Sequence, residues 1–415
     1  MLPDELKPWL AQAKDIHRRV PVIAPYFEFY GYDSLFKQSG GVQCDLEKLD
    51  AAGVRTFGCA VANGGPSYFQ ISANEYEIAG PAEWVLEALR RKFEEAMALV
   101  RSCPRVRIVS TARDLAPDPL GGKIGIIPHI TCHSWMVNLE AIDDMFRRGL
   151  RVNHPGGSTC TLWCRSHDGA RMKIQGRTAP IFNDYGRQVV ARMNELGMVI
   201  ALAHLCDESA EAIIRGSKKP VIDGHTGSRT AVPRSRGLSD RILKMIADSG
   251  GCAGIHFADH LFTAKVWDTK YARELAKPAT EPPLWAYNRH LLATVSDPDE
   301  RCRLRKDRAA QQRFFAEHGL KPEPAAPTTR VATLADMAEH VEHMVKVMGV
   351  DHVGLGGDVN GITPDSWALG MDHVGELPHL TAELLRRGWR EDDLEKFLSR
   401  NWRRVFADVL PAGGK

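Results

Sequence analysis

Short runs of apolar residues alternate with longer amphipathic stretches from about residue 20 onward, a spacing typical of βα units. The runs are VPVIAPY, VRTFGCAVA, VRIVST, KIGIIPHI, MVIALAHL, PVIDGH, CAGIHF and HVGLGGD. Apolar strands that alternate with helices favour a parallel sheet covered by those helices. About eight such units predict an α/β protein with a (β/α)8 TIM barrel. An open, doubly wound sheet is the alternative, because periodicity does not show whether a sheet closes.

The stretches between the runs have helical periodicity, as in residues 82–102 and residues 181–197. Residues 259–330 interrupt the alternation, because they are rich in charge and proline. Their Trp, Phe and Leu content argues against a disordered linker, and long excursions of this kind usually cover or shape a site. We therefore predict a single barrel domain over residues 1–415, with a partly helical, lid-like insertion over residues 259–330.

Composition and charge exclude several classes of partner. Hydrophobic residues make up 44% of the 415 residues and charged residues 26%, the ordinary balance of a globular enzyme. A formal net charge of +2 gives no electrostatic reason to expect nucleic acid or an anionic membrane as partner. The amino terminus lacks the apolar core of a signal peptide, and no stretch reaches the roughly 18 apolar residues of a membrane span. Nine cysteines without a disulfide-like framework add to the expectation of a reducing cytoplasm.

Four polar residues fall at the ends of predicted strands: His129, His204, His225 and Asp358. In a barrel the carboxyl ends of the strands meet at one mouth. Neutral imidazoles with a carboxylate would form a cage for zinc or a similar divalent ion. Such an ion would lower the pKa of a water toward ~7, and Asp358 could accept that water's proton. A single strand-end histidine is more often an ordinary hydrogen-bonded residue, so the metal site depends on the coincidence of all four.

Four longer stretches resemble a known family. They are FNDYGRQVVARMNELGMVIALAHL, PVIDGHTGSRTAVPRSRGLSDRILKMIADSGGCAGIHF, DMAEHVEHMVKVMGVDHVGLGGDVNG and GELPHLTAELLRRGWREDDLEKFLSRNWRRVF. They are similar to the membrane (renal) dipeptidase family, peptidase family M19, of the amidohydrolase superfamily. The resemblance implies that His204 and His225 bind metal, that Arg236 binds the substrate carboxylate and that Asp358 is the acid–base residue. It also implies a homodimer.

The first half of the chain departs from that family's pattern. Where the family has a His-x-Asp pair for the first of two metal ions, this chain has Tyr26 and Glu28. Where the family has a glutamate that bridges the two ions, the segment IIPHITCHSW places His129 or Ile130, and His133 matches a later histidine of the family. The residues expected for the first ion are therefore all changed in type.

This asymmetry favours one divalent ion, zinc by its ligand types, over two. We predict that His204 and His225 bind it and that His129 and Glu28 complete the ligand set. Tyr26 is a poor zinc ligand, but its hydroxyl could donate a hydrogen bond to a substrate oxygen. The residues predicted to contact the substrate are Arg236, Tyr26, His154 and His133.

Three functions are compatible with these residues. The first is a metal-dependent hydrolase of a small carboxylate-bearing amide or dipeptide-like compound, since the Arg236 guanidinium can bind a carboxylate through two parallel hydrogen bonds. The second is a metal-dependent lyase or decarboxylase on the same barrel, suggested by the loss of the first ion's ligands. The third is a binding protein on a catalytically dead barrel, which would hold no metal tightly.

Overall fold

Strands and helices alternate along the chain in the computed structural model. The described residues are 2–28, 43–62, 68–72, 75–116, 122–131, 135–157, 161–167, 173–174, 176–234, 236–266, 282–321, 330–362 and 364–413. The strands are β1 (Val22–Glu28), β2 (Val54–Ala62), β3 (Tyr68–Ser72), β4 (Glu75–Ile78), β5 (Val106–Ile108), β6 (Ile124–Ile130), β7 (Val152–Asn153), β8 (Lys173–Ile174), β9 (Arg177–Thr178), β10 (Val199–Ile200), β11 (Ile222–Thr226), β12 (Cys252–His256) and β13 (Val353–Gly357).

The α-helices follow the same chain order. They are α1 (Lys7–Arg19), α2 (Leu46–Ala51), α3 (Ala82–Ser102), α4 (Leu139–Arg148), α5 (Asp184–Leu196), α6 (Asp207–Gly216), α7 (Asp240–Asp248), α8 (Asp259–Phe262), α9 (Pro283–Thr294), α10 (Pro298–Lys306), α11 (Arg308–Glu317), α12 (Leu334–Met348), α13 (Leu377–Arg386), α14 (Glu391–Glu395) and α15 (Asn401–Val409). A π-helical turn, Lys396–Arg400, joins α14 to α15. Within the described ranges, every helix is too short or too polar to cross a bilayer.

Parallel strands form two sheets that adjoin each other at two places. One sheet has the order β1-β2-β6-β7-β10, with β5 also paired to β6, and the other has the order β11-β12-β13. A parallel bridge between Ala201 and Ile222 links the end of β10 to β11, and another between Phe27 and Val359 links β1 to the end of β13. The predicted α/β class is confirmed, with a curved sheet of parallel strands.

Local sequence signals explain where the elements begin and end. All seven residues of β1 and of β6 are buried, as expected for parallel strands covered on both faces. The Asn138 side chain accepts a hydrogen bond from the backbone N–H of Ala141 and so begins α4. Gly149, with a φ of 116°, ends that helix in the left-handed region where glycine carries no steric penalty.

The described part of the predicted insertion is largely helical. Helices α9, α10 and α11 lie in it, while residues 267–281 and 322–329 fall outside the described residues. The three helices and the β3–β4 hairpin share an apolar cluster that is separate from the main core. Its buried members are Phe69, Ala79, Tyr287, Leu291, Cys302, Ala310, Phe314 and Phe315. The role of the insertion as a lid stays a prediction.

Candidate metal centre and active site

The residues predicted to be functional lie where strands of the parallel sheet end. Glu28 ends β1, His129 lies near the end of β6, His154 follows β7, His225 lies near the end of β11 and Asp358 follows β13. Since the carboxyl ends of parallel strands lie along the same edge of a sheet, these side chains converge. His133 lies outside the described residues.

Tyr26 of β1 is packed among the predicted histidines. Its ring stacks on that of His225, with centroids 3.9 Å apart and an interplanar angle of 5°. The ring of His129 meets it edge-on at 5.1 Å, and that of His154 lies at 5.6 Å. His204 contacts the other side of the group, with its ring 5.3 Å from that of His225. The fold therefore brings five of the predicted residues into one cluster.

Burial keeps these imidazoles neutral. It lowers the pKa of His129 to about 3, and it holds the pKa values of His204 and His225 well below 6.5, an effect strengthened by the nearby Arg236 cation. A neutral ring has a free electron pair on one nitrogen, as a metal ligand requires. Among the described residues, neither ring nitrogen of His225 has a hydrogen-bond partner, nor does Nδ1 of His204. Buried polar atoms are normally satisfied, so each of these two residues has a nitrogen available to a divalent ion.

A histidine to which the sequence assigned no role pairs with the predicted acid–base residue. His256, the last residue of β12, has its Nε2 3.1 Å from Oδ2 of Asp358. The other ring nitrogen, Nδ1, accepts the backbone N–H of Ala258 at 2.9 Å. In a neutral ring the proton therefore sits on Nε2 and is donated to Asp358.

This proton placement decides between two roles for His256. One potential ligand atom from each of His225, His256 and Asp358 lies within 4.8 Å of the others, which is compatible with a shared metal ion. Because Nδ1 accepts a hydrogen bond from Ala258, Nε2 carries the proton and has no free electron pair for an ion. We therefore infer that His256 orients Asp358 and does not bind the metal ion. Its position at the end of a predicted strand was the signal that could have identified it.

The surroundings of Asp358 are tight. Burial raises the pKa of its carboxyl group, while the Arg236 cation opposes that rise. Gly361 makes the close packing possible, since a Cβ there would lie 2.1 Å from Oδ1 of Asp358 and 3.0 Å from Oε2 of Glu28. Glu28 also accepts a hydrogen bond from the hydroxyl of Tyr26. The two carboxylates therefore approach the same glycine.

Arg236 reaches the cluster from the loop after β11. Its side chain is buried, Nη2 donates to the carbonyl of His225 at 2.7 Å, and Nη1 has no partner among the described residues. The loop is held by α12, because Nε2 of His340 accepts the backbone N–H of Ser228 at 2.8 Å. A fixed guanidinium with a spare N–H group is suited to bind an anionic group.

Asp223 is a buried acidic residue that sequence reasoning missed. Its Oδ1 accepts the backbone N–H of His225 at 3.1 Å, and its Oδ2 has no partner among the described residues. Burial raises the pKa of this carboxyl group, and the Arg236 cation opposes the rise. Asp223 precedes His225 by two residues, but its burial against Arg236 depends on tertiary structure.

Comparisons with known proteins identify the family. The sequence model of the membrane dipeptidases (peptidase family M19) matches residues 10–412. The chain therefore belongs to this family, as its resemblance to that family predicted.

Curated relatives include the proteins named Dipeptidase 3 of Rattus norvegicus and Mus musculus. Each is 24% identical over 331 residues, which is 78% of this chain and 53% or 52% of the relative. The chain thus spans about half the length of these relatives.

Solved structures share the fold. The probable dipeptidase PvdM from Pseudomonas aeruginosa superposes with a TM-score of 0.71 at 22% identity, covering 97% of this chain and 98% of that one. A metallopeptidase from Rhodobacter sphaeroides, liganded with a phosphinate mimic of the dipeptide L-Ala-D-Ala, gives a TM-score of 0.67 at 17% identity. That match covers 94% of this chain and 99% of the other.

Proposed function

We propose that this protein is a metal-dependent hydrolase that cleaves a small, carboxylate-bearing, dipeptide-like amide. The observation that carries the proposal is the pair of buried, unpartnered nitrogens of His225, which lies beside the His256–Asp358 pair. Membership of the membrane dipeptidase family supports it, as do the names of the relatives and the dipeptide mimic bound to the Rhodobacter sphaeroides metallopeptidase.

Each residue of the cluster has a distinct role in this proposal. His204 and His225 hold the ion, with His129 and Glu28 as its further predicted ligands. A divalent ion such as zinc, when bound, polarises the substrate carbonyl and lowers the pKa of water.

The proton and the substrate are handled by two other residues. Asp358 moves the proton, while Nε2 of His256 holds its Oδ2 at 3.1 Å. Arg236 binds the substrate carboxylate through its spare Nη1.

We also propose that the parallel strands close into a (β/α)8 barrel around this site. Two hydrogen bonds at the junctions of the sheets support closure. The backbone N–H of Glu28 donates to the carbonyl of Val359 at 2.8 Å, and that of Leu202 donates to Ile222 at 2.7 Å. A closed barrel would fix the spacing between β1, which carries Tyr26, and β13, which precedes Asp358. The homodimer and the cytoplasmic location stay predictions.

The experiment that tests the function combines metal analysis with a hydrolysis assay. Elemental mass spectrometry of the purified protein should find about one divalent ion per chain, as in a single zinc site. The His225→Ala variant should lose both the ion and the cleavage of L-Ala-D-Ala and other dipeptides. His290→Ala is the matched control, because His290 is exposed on α9.

Two other outcomes have definite meanings. Two ions per chain would mean that Glu28 and His129 rebuild a binuclear site. If neither the unmodified protein nor either variant holds an ion, even after metal is added, the proposed hydrolase function is contradicted. The binding-protein function would then remain.

A lyase or decarboxylase is the second candidate. It is favoured by the hydrogen bond from Tyr26 to Glu28, which occupies the place of the family's first metal-binding pair. Without a second ion the substrate carbonyl is less polarised, which matters more for amide hydrolysis than for cleavage of a weaker bond. Product analysis in 18O-labelled water separates the two functions, because hydrolysis must place solvent oxygen in the product.

A further inference from the structure

A cavity of about 240 Å³ lies at the opposite, amino-terminal ends of the strands. Ile23 near the start of β1, Arg55 and Thr56 near the start of β2 and Arg107 in β5 line it, together with residues of α1 and α15. Ile23 and Glu28 are five residues apart along β1, or about 17 Å at roughly 3.3 Å per residue. The cavity is therefore separate from the candidate metal centre.

The described lining of the cavity is positively charged. Its basic residues are Arg18, Arg19, Arg55, Arg107, Lys123 and Arg403, and the described lining contains no Asp or Glu. Neighbouring carboxylates outside the lining neutralise some of them. Asp15 pairs with Arg18 and Arg19 at 2.8 Å, and Asp50 pairs with Arg55 at 2.6 Å. The carboxylate of Asp114 interacts electrostatically with Arg107, whose cation lowers the pKa of that carboxyl group. Within the described residues, these contacts leave Lys123 and Arg403 without a carboxylate.

Backbone groups also hold Arg107 in place. Both terminal nitrogens of Arg107 donate to backbone carbonyls, those of Asp114 and Ala116, and its Nε is buried without a partner. Nε of Arg403 is likewise buried and unpartnered, and neither Arg403 nor Lys123 has an ion pair within the described residues. Burial lowers the pKa of the Arg403 guanidinium, the direction expected for a cation removed from water without a counter-charge. A partly buried cation in that situation is destabilising unless an anion accompanies it.

We propose that this cavity binds a phosphate group, either as inorganic phosphate or as part of a small phosphomonoester. Two uncompensated cations, with Arg107 in the same lining, suit a dianion better than a single carboxylate. The planar guanidinium groups of Arg107 and Arg403 match the oxygens of phosphate, and Lys123 adds a point charge. The volume is below the roughly 300–1,000 Å³ of pockets for drug-sized ligands, so the ligand is small.

Isothermal titration calorimetry on the metal-loaded protein at low ionic strength tests the proposal, with inorganic phosphate and glycerol phosphate as separate titrants. Lys123→Ala and Arg403→Gln should each weaken phosphate binding by about tenfold or more, the usual effect of losing a charge-assisted hydrogen bond. Lys218→Ala removes another exposed lysine, outside the cavity, and should leave binding unchanged. Tighter binding of glycerol phosphate would identify the ligand as a phosphomonoester, and equal or weaker binding would identify it as free phosphate.

Three results would overturn the proposal. They are no measurable binding of either titrant, equal weakening in all three variants, and tighter binding of succinate than of phosphate. The His225→Ala variant distinguishes this site from the metal centre, since it should keep phosphate binding after its ion is lost. Lys123 is exposed, so its variant is expected to fold even where Arg403→Gln does not.

Discussion

Asp358 and His204 have left-handed backbone conformations, with φ of 78° and 71°, which non-glycine residues seldom adopt. Such a conformation is destabilising by about 1–3 kcal/mol per residue and persists only where the surroundings impose it. Asn360, in the turn after Asp358, shares it with a φ of 63°. The backbone strain thus falls on a predicted metal ligand and on the predicted acid–base residue. This argues that the orientation of these two side chains is kept for function at a cost in local stability.

Gly361 sets the position of Asp358, and this can be tested. In Gly361→Ala the new Cβ would lie 2.1 Å from Oδ1 of Asp358, so the carboxylate must move by about 1 Å. A displacement of that size lowers rates by about a hundredfold. We expect kcat of the proposed dipeptide hydrolysis to fall by about 10- to 100-fold, with thermal stability changed little. Gly216→Ala is the matched control, because a Cβ at Gly216 meets nothing within 4 Å. Unchanged kcat in Gly361→Ala would contradict the assigned position of Asp358.

His256 should affect the rate without affecting the metal. His256→Ala removes the N–H group that orients Asp358, so kcat should fall by roughly a hundredfold, the range of acid–base contributions. KM and the metal content should stay close to those of the unmodified protein, and His256→Gln should recover part of the rate because its amide can donate. Kinetics and elemental analysis of the same preparations measure both quantities. Loss of the ion in His256→Ala would instead make His256 a ligand.

Residues of the candidate site could be predicted from the sequence where they lie at the ends of strands. His129, His225 and Asp358 follow from the apolar runs that precede them, and His204 follows from the resemblance as well. His256 carried the same signal, but its role depends on an N–H group of Ala258 that only the folded chain places. The burial of Asp223 beside Arg236 is likewise a tertiary property.

At the scale of elements, helices with a clear period and strands within an apolar run were predictable, and β7 was not. Residues 82–102 form α3 over the predicted range, because their apolar positions follow one helical face. Each of the eight apolar runs overlaps a strand. The two-residue strand β7, Val152–Asn153, gave no signal because no apolar run surrounds it, whereas the equally short β10 lies within MVIALAHL. The sheet order through β7 therefore comes from pairing partners and could not be read from local sequence.

The helical insertion should unfold separately from the parallel sheets. Phe314 of α11 is buried in the cluster shared with the β3–β4 hairpin, with its ring 5.1 Å from that of Tyr287. Phe314→Ala should destabilise this unit by about 3 kcal/mol through the lost packing. Hydrogen exchange should then rise in α9–α11, while β1, β6 and β12 keep their protection. Gln312→Ala, on the exposed side of α11, is the control. A uniform rise across the whole chain would show that the insertion and the sheets unfold as one unit.

At the scale of the whole molecule, His17 connects the first long helix to the carboxyl-terminal region. Its Nδ1 donates to the carbonyl of Ala52 at 2.6 Å, and its Nε2 accepts the hydroxyl of Thr381 at 2.8 Å. The Ala52 carbonyl can only accept, so the proton of the neutral ring lies on Nδ1 and Nε2 accepts from Thr381. Burial keeps the ring neutral, since it lowers the pKa of His17 from 6.5 to about 4, although the hydrogen bond to the Ala52 carbonyl opposes the shift.

The depressed pKa of His17 predicts how stability depends on pH. Between pH 6.5 and about 4 the unfolded chain binds a proton at His17 that the folded chain does not, so the free energy of unfolding falls as the pH falls. The contribution of neutral His17 to the free energy of unfolding is fully present above pH 6.5. It decreases by at most about 3 kcal/mol toward pH 4. Burial also lowers the pKa of His340 to about 4, which adds to the fall in the unmodified protein.

His17→Gln should therefore be less stable at pH 7.5 and show a smaller loss of stability between pH 7.5 and pH 5. Urea unfolding of both proteins at several pH values, with the exposed His290→Gln as control, measures the difference. Equal slopes in His17→Gln and the unmodified protein would mean that His17 does not link folding to pH.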